Sequence, residues 1–244
     1  MFDQSSNPIF RTSAFEEVAR GGELTFQGVL NRCFVLLALV VLFGVYGFMT
    51  TSIVPGGNGT GAILIWSLLA FVLAMVISFK PTVSPVLAPI YAATEGLFLG
   101  AVSKMFEMFY HGIVFQAVLL TFALMLAMLV LYRLNIIKVT DKFAMILCSA
   151  ILGIVLFRLG MFVLSLFGVR MPSMLSYGPV AIALSVGVVI IASLSLLLDF
   201  ERIRVVSLGG MPKYMGWYAA FGLMVTLVWL YLETLRLLSR IRDR

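Results

Sequence analysis

Four ionisable side chains lie inside or against long apolar runs: Glu95, Arg158, Asp199 and Glu233. A charge at membrane depth costs about 2.5–3.5 kcal/mol on insertion scales, so each is a candidate for function. Asp199 ends the run Leu196-Leu197-Leu198-Asp199-Phe200 and is followed by Glu201, Arg202 and Arg204. One reading makes it a solvated helix end paired with Arg202 or Lys213. The other makes it a titratable gate whose charge decides whether an inner mouth is closed. It is the only aspartate in or bordering an expected span, so an intramembrane aspartyl-protease pair lacks its second member. His111 is the single histidine, and neither GxSxG nor HExxH is present. The glycine-rich stretch Gly56 to Gly61 lacks the lysine of a phosphate-binding loop and reads as a flexible turn. Cys33 and Cys148 form no CxxC pair and read as small buried packing residues. No enzyme, cofactor or metal site is expected.

The elements that must carry these groups follow from composition. Of 244 residues, 62% are hydrophobic and 11% charged, and the mean hydropathy is +1.11. A soluble domain is about half apolar and a quarter charged, so the solvent of this chain is lipid. The net charge of +6 is scattered through loops and ends rather than gathered into a basic face, which argues against nucleic acid. A span needs about 20 apolar residues. Seven segments qualify: about Cys33–Ile53, Gly61–Phe79, Thr82–Ser103, Ile113–Tyr132, Phe143–Phe167, Gly178–Asp199 and Trp217–Leu238. Backbone amides find no water at that depth, so each is expected to be a helix, and period-2 patterns of a β-barrel are absent. The fold expected is an all-α, polytopic seven-helix bundle. It has a polar, partly disordered head at residues 1–32, a membrane domain at 33–238 and a basic tail at 239–244. The first run is too long for a signal-peptide core and reads as a permanent span.

With the N-terminus inside, the inner side holds Arg11, Arg20, Arg32, Lys80, Arg133, Lys138, Lys142, Arg202, Arg204 and Lys213. The outer side holds Lys104, Arg170, Arg236, Arg240, Arg242 and Arg244. The excess favours N-terminus inside. The basic tail then falls outside, against the rule, unless the last segment is re-entrant and returns inward. Counted along their helices, Glu95, Arg158 and Glu233 all stand roughly 20–24 Å from the inner boundary. They form either a buried Glu–Arg–Glu cluster or a coincidence in which Arg158 snorkels and Glu233 pairs with Arg236. Gly96 and Gly100 make a GxxxG with Ala92 and Ala93 a turn before, which permits close helix approach.

The segments Tyr91 to Gly100 (YAATEGLFLG), Leu198 to Phe200 (LDF) and Lys213 to Gly222 (KYMGWYAAFG) resemble the Bax inhibitor-1 and YccA-like membrane proteins. The start Asn7-Pro8-Ile9-Phe10 and the run Trp229 to Glu233 (WLYLE) resemble a bacterial branch of that family. The resemblance covers essentially the whole chain. It implies a seven-helix fold with the last helix central, a bacterial inner-membrane setting and a pH-sensitive calcium-leak activity. In that family two aspartates on helices six and seven sense protonation. Asp199 matches the first. Thr226 falls near the second, and the nearest acid, Glu233, is expected some 20 Å from Asp199. A switch of Asp199 with Glu233, a single-acid gate, and one closed by Asp199 with Lys213 or Arg202 therefore all stand. The competing function is a non-transporting regulatory protein that binds a membrane protease or another helical membrane partner.

Overall fold

The computed structural model describes residues 25–51, 59–168, 178–208 and 211–243. Among them are seven α-helices, one 3-10 turn and no strand. The helices are α1 (Phe26–Thr50), α2 (Gly59–Phe79), α3 (Ser84–Phe109), α4 (Ile113–Arg133), α5 (Asp141–Leu166), α6 (Pro179–Ser207) and α7 (Lys213–Arg242), with the turn Pro81–Val83 leading into α3. Six of them are long and apolar enough to cross a membrane, whereas the apolar stretch of α2, Ile63–Phe79, is shorter. The seven-span count therefore turns on α2.

Several boundaries move from their expected places, for local reasons. Residues 26–32, assigned to the polar head, belong to α1. Thr25 caps that helix by accepting from the Gly28 N–H at 3.1 Å, and Val29, Cys33, Leu36 and Val40 continue one buried stripe through Asn31 and Arg32. Gly59–Gly61, read as turn, open α2, and the rest of that glycine-rich stretch lies outside the described residues. So do the head residues 1–24, with Asn7 to Phe10. Thr140 caps α5 from just before Asp141, so a second aspartate borders a span after all, placed where a helix N-terminus favours negative charge. The expected tail at 239–244 is helical through Arg242.

The core lies where α1, α3, α6 and α7 meet, around Leu36, Ala92, Leu196, Met224 and Leu230. α7 touches α1, α3, α4, α6 and the 3-10 turn, so the last helix is the central one. It is unbroken over 30 residues, about 45 Å, which removes the re-entrant alternative. At its start, the Arg32 guanidinium lies 5.7 Å from the Trp217 ring and Ser84 donates to the Tyr214 carbonyl at 2.9 Å. At its end, Tyr110 donates to Asp243, Arg242 donates to the His111 carbonyl and Gln116, and Arg240 donates to the Ala181 carbonyl and Ser185. The two ends of α7 therefore sit on opposite faces of the bundle. α5 is peripheral: Leu147 is its one fully buried residue.

Candidate functional site

The strongest polar assembly is built around Glu233, which is 1% exposed on α7. Its Oε1 meets Arg158 Nη1 at 2.7 Å and Arg236 Nη1 at 2.7 Å, and its Oε2 accepts from Arg158 Nη2 at 2.8 Å. Trp229, one turn earlier, donates Nε1–H to Oε1 at 3.0 Å. A carboxylate taken out of water needs such donors on both oxygens, and a two-pronged guanidinium supplies them with fixed geometry. Arg158 thus reaches from the peripheral helix into the body, and both sequence readings hold in part: Glu233 binds Arg158 and Arg236 together. Trp229 was missed, although its four-residue spacing from Glu233 is a legible helical pair.

Glu95 does not join them. It is buried at 7% exposure on α3, Tyr91 stands one turn earlier on the same helix, and among the described residues Glu95 makes no ion pair. It also stands at another height: Tyr91 faces Phe221 and Ser103 bonds Tyr231, so Glu95 is level with about Val225 of α7, roughly 12 Å short of Glu233. Tyr91 in turn sets its ring edge-on to Phe221 of α7, with centroids 5.1 Å apart. Gly96 and Gly100 face α1 at backbone contact. A Cβ added at Gly96 would lie 2.7 Å from the Val40 carbonyl oxygen, and one at Gly100 would run into Gly44 and Phe48.

Asp199 departs most from expectation. α6 continues two turns past it to Ser207, and the residue is 4% exposed, so it is no solvated helix end. Its Oδ1 stands 3.4 Å from Arg202 Nη1, a long contact, and its Oδ2 is buried without a hydrogen-bond partner. Gly222 and Thr226 of α7 face it: a Cβ on Gly222 would lie 3.8 Å from Oδ1. Thr226 is close enough to interact, yet its hydroxyl donates to the Gly222 carbonyl at 3.2 Å, which leaves Oδ2 unserved. Lys213 begins α7, about 20 Å along the helix from Thr226, and is not a partner.

A cavity of about 350 Å³ between α5, α6 and α7 joins the two assemblies, with Asp199, Arg202, Thr226, Trp229 and Arg158 on its wall. Cys148 lines it too and is exposed rather than buried as expected. Because Asp199 faces Thr226, Glu233 lies only seven residues, about 10 Å, further along α7. The expected 20 Å was too long, since it assumed that α6 ends at Asp199. Among the described residues no cluster of three or more His, Cys, Asp or Glu side chains is placed to hold a metal ion.

The Bax inhibitor 1 like family model matches residues 7–243. The chain belongs to that family. No curated protein and no solved structure matches it. As a family member it is a multi-pass integral membrane protein.

Proposed function

We propose that the protein is a cation leak, with calcium as the ion, whose flux is governed by the protonation of Asp199. One observation carries this: a carboxyl group at membrane depth has one oxygen held only by a long contact to Arg202 and the other by nothing. A buried anion in that state attracts a proton, a cation or a nearby guanidinium. The charged and titratable groups that share its cavity are Arg202 on its own helix and Arg158 and Cys148 on α5, while α7 faces it with Gly222 and Thr226 and contributes no charge there. When ionised, Asp199 draws Arg202 inward and closes the path; when protonated, it releases that guanidinium and flux rises. Calcium prefers several oxygen ligands, and the cavity offers Asp199, Thr226 and Ser195, which suits a low-affinity leak better than a tight carrier site. The pair of Arg158 and Glu233 serves as a structural lock beside that path. No catalytic step is part of the proposal.

The proposed setting is a bacterial inner membrane with the N-terminus inside. If α2 crosses as well, the C-terminus lies on the opposite side. In proteoliposomes, calcium release is expected to increase as pH falls through the carboxylate range, and Asp199→Asn is expected to flatten that dependence. Flux equal to empty vesicles at every pH rejects the proposal. A second reading, a non-transporting regulator of a membrane protease or other helical partner, is favoured by α5, whose flanks are almost wholly exposed and free to take another helix. Repeated recovery of one membrane partner by cross-linking at α5, without any flux, would support it.

A further inference from the structure

On the other flank of α7, away from Asp199, a cavity of about 560 Å³ lies between α1 and α4 over a floor of α3 and α7. We propose that it holds one acyl chain of a phospholipid with an anionic headgroup. Val41 and Val45 form one wall, Val118 and Phe122 the other, and Gly100 and Leu227 part of the floor. Val41, Val45, Val118 and Phe122 are exposed, so the trough opens sideways to the bilayer. Its only hydroxyls among the described residues, those of Ser103, Thr121 and Tyr231, are already bonded within the protein, so the slot offers little to a buried water, and acyl chains are what the surroundings supply.

Length and polarity agree with that occupant. The α1 wall runs from Leu37 to Phe48, about 16 Å, close to the half-thickness of a hydrocarbon core of about 30 Å. The trough is apolar at the Leu37 end. At the Phe48 end it meets Ser103 and Tyr231, whose hydroxyls bond each other at 2.7 Å. There Lys104 holds its ammonium 4.7 Å from the Phe48 ring centre, and among the described residues it makes no ion pair. A half-buried ammonium at the mouth of an apolar slot one leaflet long matches a phosphate above a chain.

The test uses the full-length protein, purified in detergent and stripped of lipid. It is titrated with phosphatidylglycerol or with phosphatidylcholine of the same chains and read by native mass spectrometry. One phosphatidylglycerol is expected to be retained, with a preference of about fivefold over phosphatidylcholine. Lys104→Gln is expected to abolish the preference but keep the lipid. Val118→Trp and Val41→Trp fill the slot from opposite walls and are expected to lose the lipid without a change in melting temperature. If one of these fails to fold, the other decides. Wild-type protein that retains no lipid, equal retention of both lipids, or unaltered retention in a folded tryptophan variant overturns the proposal. So does a dimer that dissociates in those variants, which would put a second copy of the chain in the slot.

Discussion

The seam between α1 and α3 and the flank where α5 lies hold helices to the same bundle by opposite means. At the seam, Gly96 and Gly100 of α3 and Gly44 and Gly47 of α1 bring backbone onto backbone, and a Cβ added at Gly47 would stand 2.7 Å from the Leu97 carbonyl oxygen. α5 also carries glycines, Gly153 and Gly160, but nothing lies within 4 Å of where their Cβ atoms would be. What ties α5 to α7 is Arg158, which reaches Glu233 with both terminal guanidinium nitrogens. Lipid tails are as apolar as leucine, so apolar surface by itself does not draw helices together in a membrane. Close packing can, and so can a polar group that has no better partner. The seam uses the first and the flank the second.

Substitutions can break that contrast in order of expected effect. Gly100→Val should be the most damaging, with a loss of about 3 kcal/mol measured by unfolding in detergent, because Gly44 and Phe48 backbone atoms cannot yield. A fully stable variant would mean that the seam opens easily. Arg158→Met should cost about 2 kcal/mol, less than a fully buried pair would, since Arg158 is partly exposed and Arg236 and Trp229 still serve Glu233. A double-mutant cycle with Glu233→Gln isolates the coupling, and a value near zero would show that α5 is held by something else. Trp229→Phe removes one donor to Glu233 and should cost about 1 kcal/mol. Gly153→Ala on α5 should lie within about 0.5 kcal/mol of wild type, and a large loss there would erase the distinction between the two regions.

Much of this layout was legible in residue order. Hydropathy placed every long helix, and counting residues put Arg158 at the depth of Glu233. It also put Glu95 there, wrongly, because the counts began at Thr82 and Trp217, which are not level: Ser84 of α3 bonds Tyr214 of α7, so Glu95 falls about 12 Å short of Glu233. Asp199 misled for a different reason. The charges after it, Glu201, Arg202 and Arg204, look like the end of a span, yet Glu201 is satisfied inside the fold. It accepts from Tyr132 of α4 at 2.6 Å and from Arg204 one turn on, so the helix carries its charges two turns further. The GxxxG pattern named the residues that touch but not the partner helix. No pattern in the chain announces the slot between α1 and α4, which exists only because two distant helices stand apart over a common floor.

The position of α7 bears on how the molecule is made. The helix at the middle of the bundle follows the other six in chain order, and α1, α3, α4 and α6 have it as their common neighbour. Until Lys213–Arg242 is threaded in, the earlier helices surround an unfilled axis. Closure of the seven then waits for α7, beyond whose middle Arg240, Arg242 and Asp243 fasten to Ser185, Gln116 and Tyr110. Without Arg240, Arg242 and Asp243 the bundle would lack the clasp that closes it.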